Sequence, residues 1–291
     1  MDSAPAIDKR RLRASFDKAA PGYDAAAVLQ HEVCRRMLAK LEFIKLQPAA
    51  ILDAGCGTGN AVAPLQAHFP HATLCALDLA AGMVRQARAR APWWKSVLGR
   101  NVVPVCGDIE QLPLRAATFD FAWSNLALQW MNDPPRAFAE LKRVLAPGGL
   151  LMFSTFGPDT LRELRAAYAE TDNYTHVNRF IDMHDLGDML VQAGFADPVM
   201  DMEQITVTYE EPRALLAELK AIGASNSTRG RPRGLTGRAR WQRMLATLER
   251  ARQDGRIPAT FEVVYGHAWK GEPRRSPEGH PIVTLQRPPR P

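Results

Sequence analysis

Apolar positions along this chain follow two periods that alternate. Residues 8–20 place Leu12, Phe16 and Ala20 on one face of an amphipathic helix, and Pro21-Gly22 closes it. Residues 24–46 carry Val28, Leu29, Val33, Met37, Leu38, Leu41 and Ile44 at helical spacing, which predicts one second helix. Short apolar runs then trade places with helical stretches. Strands are expected at 51–54, 73–77, 102–105, 119–123 and 150–156, and helices at 61–69, 81–90 and 135–145, with a turn at Pro147-Gly148-Gly149. Short, nearly all-apolar strands separated by helices predict a mainly parallel sheet covered on both faces. Beyond it, 158–170 and 184–193 read as helices, the second closed by Gly194. Residues 199–209 alternate apolar and polar positions, as an antiparallel strand does. Residues 212–222 and 240–253 are helical, 223–238 form a Gly-, Ser-, Arg- and Pro-rich loop, and 259–270 a last strand. From Gly271 the chain is too rich in proline and charge to pack.

The first strand enters Asp53-Ala54-Gly55-Cys56-Gly57-Thr58-Gly59, with a helix behind it. Glycine at every second position lets the backbone turn sharply and bring bare N–H groups against a ligand. A dinucleotide loop is G-x-G-x-x-G; here the third glycine comes one residue early, and no Gly-Lys-Ser/Thr run exists for a phosphate loop.

In a doubly wound sheet the ligand lies beyond the carboxyl ends of the strands. Strand two ends in Asp78-Leu79, with Asp78 19 residues after Gly59, the distance at which an acid accepts from ribose hydroxyls. Strand three ends in Asp108-Ile109, a carboxylate for an exocyclic amine beside an apolar side chain for the adenine face. Strand four ends in a polar turn, Ser124-Asn125-Leu126-Ala127-Leu128-Gln129-Trp130. A single aspartate at a strand end is an ordinary turn former; three on successive strands beside a glycine loop form a site.

This combination resembles motifs I to IV of class I S-adenosylmethionine (SAM) methyltransferases, with Pro147-Gly148-Gly149-Leu150 similar to the turn before their fifth strand. The resemblance covers about residues 48–156 and implies SAM as cofactor, held by Gln30, Asp53, Gly55, Gly57, Gly59, Asp78, Leu79, Met83, Asp108, Ile109 and Asn125. A tighter resemblance spans nearly the whole chain. Phe16-Asp17-Lys18-Ala19-Ala20-Pro21-Gly22-Tyr23 with Leu29-Gln30, Ser154-Thr155-Phe156-Gly157, His176-Val177-Asn178-Arg179-Phe180 and Leu219-Lys220-Ala221-Ile222-Gly223-Ala224 resemble the malonyl-[acyl-carrier protein] O-methyltransferases of biotin synthesis. That family implies methyl transfer to the free carboxylate of a malonyl thioester. A carboxylate is already a nucleophile at neutral pH, so the missing His/Asp or Cys/His pair counts for nothing against it. Pro92-Trp93-Trp94 reads as an insertion before strand three and is assigned no chemistry.

Composition narrows the picture further. The 291 residues are 46% hydrophobic and 23% charged, and no window of about 18 apolar residues predicts a membrane span. The start has neither a signal-peptide pattern nor, with Asp2, Asp8 and Asp17 in it, that of a transit peptide, so a cytoplasmic location is expected. Cys34, Cys56, Cys75 and Cys106 form no C-x-x-C and the seven histidines no ligand spacing, so no metal site is expected. Net charge is +6, but residues 220–291 hold 15 Lys/Arg against 5 Asp/Glu.

Arg229, Arg231, Arg233, Arg238 and Arg240, with Arg243, predict a dock for an acidic carrier protein. Aromatics do not interleave with them before Trp241, which argues against nucleic acid. Asp133-Pro134-Pro135 is not the Asn-Pro-Pro-aromatic pattern of amino-group base methyltransferases. On the substrate side Tyr23 and Arg179 are expected to position the carboxylate, Arg179 by bidentate pairing; His176, Asn178 and Lys220 are weaker candidates.

The expectation is a doubly wound, seven-stranded, Rossmann-like α/β sheet. N-terminal helices (1–47) precede a SAM-binding core (48–210). A helical lid (211–257), a last core strand (258–270) and a tail (271–291) follow. The substrate is malonyl-acyl carrier protein, with malonyl-CoA left open. Two other readings are a methyltransferase-fold arginine hydroxylase of respiratory-complex assembly, whose N-terminal signature is similar, and a non-catalytic SAM- and RNA-binding module.

Overall fold

A computed structural model describes residues 6–90, 102–232, 234 and 236–271. The tryptophan insertion, Arg233 and the tail beyond 271 lie outside them. Seven strands form one sheet: β1 Ala50–Ala54, β2 Thr73–Asp78, β3 Val102–Cys106, β4 Phe119–Asn125, β5 Leu145–Phe156, β6 Ala196–Tyr209 and β7 Ile257–Trp269. Their order is β3-β2-β1-β4-β5-β7-β6. β1 to β5 pair in parallel, while β7 runs antiparallel to both β5 and β6. Chain order reverses between β1 and β4, and that switch point opens a crevice beyond the strand ends.

The helices are α1 Lys9–Ala19, α2 Tyr23–Ala26, α3 Val28–Leu41, α4 Val62–His68, α5 Ala81–Arg90, α6 Pro134–Val144, α7 Arg162–Ala169, α8 Met183–Gln192, α9 Pro212–Ala221 and α10 Arg238–Arg250. Asp8 caps α1 through the Arg11 N–H, and Asp133 caps α6 with proline in its first turn. One core packs α3, α4, α7, α9 and α10 on one face of the sheet around Trp123 and Phe121; the other packs α6 and α8 around Phe138 and Phe153. Among the described residues no helix is long and apolar enough to cross a membrane, and no cluster of His, Cys, Asp or Glu could hold a metal.

Three elements depart from the sequence pattern. The helix expected over 24–46 breaks at Ala27, which leaves the helical region (φ −87°, ψ 40°). Asp24 there bonds the Thr58 hydroxyl at 2.6 Å and pairs with Arg90, so α2 belongs to the glycine loop rather than to α3. The helix expected from 158 starts at Arg162, because Leu161 is left-handed (φ 55°) and its N–H bonds the Thr260 carbonyl of β7 at 2.6 Å. Pro147-Gly148-Gly149 is drawn into β5: the Gly148 N–H bonds the Lys270 carbonyl and the Lys270 N–H bonds that of Gly149.

Candidate active site

The three loop glycines have separate physical reasons. All have positive φ (85°, 54° and 84°), which favours glycine. A Cβ on Gly55 would lie 2.2 Å from that of Ala127, and one on Gly59 would lie 2.8 Å from the Cα of Ala87. These two let the loop pack against β4 and α5. A Cβ on Gly57 would meet nothing within 4 Å, and Gly57 lines the cavity. That open face leaves bare backbone accessible from the cavity.

One large cavity begins at this loop. Its cofactor end is walled by Gly55, Gly57, Asp78, Leu79, Met83 and Ile109, all predicted from strand ends or the helix behind them. Asp78 accepts from the Gly57 N–H (3.0 Å) and the Ala80 N–H (2.8 Å), so it braces the loop while facing the cavity. Burial, partly offset by these bonds, raises its carboxyl to about 6. Asn125 donates to the Gln30 carbonyl at 3.1 Å and accepts from Ser154, so it ties β4, β5 and α3 together at the cavity wall. Asp108 accepts from Lys9 Nζ (3.1 Å) and the Glu110 N–H (3.0 Å), both at Oδ1.

Asp53 sits apart, in a small side cavity that shares Tyr23, Gln30, Gly55, Gly57 and Asn125 with the large one. It is 1% exposed, and its Oδ2 is buried without a hydrogen-bond partner. Burial, reinforced by the negative charge of Asp78, raises its carboxyl to about 8. The same side cavity holds His31, whose Nε2 is buried without a hydrogen-bond partner and lies 3.6 Å from Asp24 Oδ1. An orphaned buried polar group is costly unless a ligand completes it. A carboxylate oxygen and an imidazole nitrogen fit the ammonium and carboxylate of an amino-acid moiety. The residues present therefore fit SAM.

The far end of the cavity differs in character. Phe156, Leu161, Leu164, Phe180 and Phe261 make it largely apolar, with Thr160, His176, Asn178 and Asn226 as polar points. His176 stacks flat on Tyr168 (3.8 Å, 4°) and bonds Asp172 at 2.7 Å. The other oxygen of Asp172 accepts from Arg240 of α10 at 3.1 Å. His176 and Arg240 help hold that carboxyl below its usual range against its own burial. Tyr23 packs against Ala80 and Met83 and lines both the main cavity and the side cavity. Burial and the charges of Asp78 and Asp24 raise its phenol, so it stays protonated and is a donor.

Arg179 stands outside this cavity. Its side chain is exposed and borders a smaller cavity that shares Gln129, Met131, Phe156 and Phe180 with the main one. Lys220 is exposed and lines neither. Of the predicted docking arginines, Arg229 and Arg238 are exposed, Arg231 lies 3.9 Å from Asp8, and Arg240 is engaged with Asp172.

Sequence reasoning gave Lys9, Phe16 and His31 no site role and named Trp130 only as part of the polar turn after strand four. Phe16 and Trp130 meet edge to face at 5.5 Å over the cavity. The predicted apolar stripe of α1 contained Phe16, but nothing in it marked a ligand wall. Lys9 reaches Asp108 across 99 positions, and no local pattern shows that.

The comparisons with known proteins agree with this geometry. Residues 52–153 match the family described as "Methyltransferase domain". A solved structure of the [4+2]-cyclase SpnF is similar at a TM-score of 0.61 and 20% identity, over 93% of this chain and all of that one. A Haemonchus contortus phosphoethanolamine N-methyltransferase solved with S-adenosyl-L-methionine is similar at a TM-score of 0.50 and 17% identity, over 82% of this chain and 53% of that one. These two show the fold alone, and the cyclase shows that the fold does not fix the reaction. The malonyl-[acyl-carrier protein] O-methyltransferase of Gallionella capsiferriformans is 57% identical over 278 residues, 95% of this chain and 96% of the relative. With that identity over nearly its whole length, the chain belongs to the malonyl-[acyl-carrier protein] O-methyltransferase family.

Proposed function

We propose that this chain is a SAM-dependent carboxyl O-methyltransferase. It esterifies the free carboxylate of a malonyl thioester on acyl carrier protein, an early step of biotin synthesis in the cytoplasm. The observation that supports it best is a single cavity joining the cofactor end to an apolar chamber, in a chain 57% identical to a relative of that name.

The residues would act as follows. Asp53 and His31 take the amino-acid end of the cofactor, and Gly57 gives its backbone room. Asp78 accepts from ribose. Leu79, Met83 and Ile109 pack the adenine, and Asp108 accepts its amine. Bound there, the cofactor supplies a methyl group on a sulfonium; transfer forms an oxygen–carbon bond, breaks the carbon–sulfur bond and cancels one charge of each sign. The apolar chamber strips water from the substrate carboxylate, and Tyr23 donates its O–H to fix one carboxylate oxygen in line. No base is needed, since the carboxylic acid is already ionised at neutral pH. Arg179 at the neighbouring rim draws the carboxylate inward. The N-terminal helices and the insertion at 211–257 cover the cavity and keep it dry.

The test is to incubate the protein with SAM and malonyl-carrier protein and follow the carrier by mass spectrometry. The malonyl methyl ester is expected, together with growth of a biotin-requiring strain that lacks this methyltransferase. Hydroxylated protein, or no modified product, would sink the reading.

A further inference from the structure

The basic C-terminal quarter points to α10 as the dock for an acidic carrier, but two of the four arginines of α10, and two just beyond it, are occupied. Arg240 pairs with Asp172, Arg250 with Glu170 (2.6 Å), Arg252 with Glu249 (2.6 Å) and Arg256 with Glu210 (3.4 Å). No residue of α10 lines the cavity. The helix lies one layer away from it, packed with Met244 and Leu248 in the core.

A second basic surface is better placed. Arg10, Arg11 and Arg13 of α1 are exposed, and among the described residues only Arg13 has an ion pair, with Asp17 at 3.8 Å. The segment before α1 is sewn to the loop before α10: Ile7 and Thr228 form an antiparallel bridge, the Asp8 N–H bonds the Ser227 carbonyl (2.7 Å), and the Arg229 N–H bonds that of Ala6 (2.8 Å). This brings exposed Arg229 beside the α1 arginines. The same two segments line the cavity from within, through Lys9, Leu12 and Phe16 on α1 and Ser225 and Asn226 on the loop. One seam therefore carries exposed positive charge outside and the cavity wall inside.

We infer that Arg10, Arg11 and Arg13 of α1, with Arg229, form the docking surface for the acidic carrier protein. This rests on the function proposed above. An acidic partner steered to this seam is delivered to elements that wall the cavity, whereas one held on α10 is not.

The test uses the full chain and two acceptors, malonyl-carrier protein and the short thioester malonyl-pantetheine, which has no protein to dock. The triple variant R10E/R11E/R13E is expected to lose about tenfold or more in kcat/KM for the carrier, through KM and with a flattened salt dependence. The ratio of carrier to short-thioester efficiency should fall by the same factor. Cofactor affinity reports folding, and R10Q/R11Q/R13Q supplies the measurement if the reversed charges unfold α1. An unchanged ratio overturns the inference, as does a larger loss in R238E/R243E than in the α1 triple. A wild-type protein inert toward both thioesters instead overturns the functional reading beneath it.

Discussion

The two ends of the cavity are built in opposite ways. The cofactor end comes from consecutive strand ends: β1 supplies Asp53 and the glycine loop, β2 supplies Asp78, and Asp108 follows β3. Its deepest carboxyl is left incomplete, with Asp53 Oδ2 buried and without a hydrogen-bond partner. The substrate end comes from pieces far apart in the chain. Ser15 meets Ser225 across 210 positions, and the Asn226 side chain bonds the Thr175 carbonyl across 51. Several of its polar groups are satisfied by one another, as in the Arg240–Asp172–His176 chain. One end stores unmet hydrogen-bonding capacity for a fixed ligand; the other is an apolar chamber held in shape by its own polar network.

The hardest blow to this contrast is at Gly55. Gly55→Ala places a methyl 2.2 Å from the Ala127 Cβ at φ 85°, in two turns held by the adjacent paired strands β1 and β4. Overpacking and left-handed strain together are expected to cost about 3 kcal/mol or more, read as a fall in the urea midpoint. Gly57→Ala meets no atom, so it should keep most of the stability yet weaken the cofactor strongly. Equal stability of the two variants would break the claim that the loop separates packing from binding.

Next in size is Asp53. Asp53→Asn is expected to weaken cofactor binding by roughly 100-fold, the scale of one removed partner in a buried charged hydrogen bond. It should also raise the Tm of the ligand-free protein by about 2–4 °C, since about 1 kcal/mol of burial strain is relieved. The sign follows from linkage. The folded carboxyl titrates near 8, above its unfolded value of 3.8, so its stabilisation is complete below about pH 4 and is lost as pH rises through 8. Asp78, raised to about 6, adds a loss in the same direction at lower pH. Cofactor affinity runs the other way and tightens toward pH 8, because a bound cation prefers the ionised form. Calorimetry in buffers of different ionisation enthalpy should show proton release on binding at pH 7. An affinity flat from pH 6 to 9 would remove Asp53 from the site.

The legibility of the two ends differs for the same physical reason as their construction. The strands, the glycine loop and the aspartates were readable because burial on both faces and sharp turns leave local marks on sequence. The Ala27 break left none. It follows from Asp24 bonding Thr58, 34 positions away. Likewise α7 starts late because Leu161 answers to Thr260 of β7, not to its neighbours. Arg240 counted as free charge until Asp172 claimed it. Those partners become neighbours only once the sheet has formed.

At the substrate end the expected effects are smaller. Asp172→Asn leaves His176 stacked on Tyr168 but weakens its bond and frees Arg240. The KM for malonyl-carrier protein should rise by about tenfold, the worth of one charge-assisted hydrogen bond. Cofactor affinity should stay put, because Asp172 touches no part of that end. If SAM binding fell as well, the two ends would be one coupled unit.

The smallest effect, and the sharpest, is at Arg179. Its place after a polar run and before Phe180 made it the natural anchor for the substrate carboxylate, and a buried bidentate anchor would be worth far more than a rim charge. Its side chain is exposed, however, and borders only the neighbouring cavity. An exposed guanidinium is screened by water, so Arg179→Ala should raise the KM for malonyl-carrier protein by no more than about fivefold, with kcat kept. Salt should erase the difference from wild type. A loss of 100-fold in kcat would mean that the 176–180 segment turns inward when substrate binds. The apolar chamber would then gain a fixed cation, and the contrast between the ends would hold only for the empty enzyme.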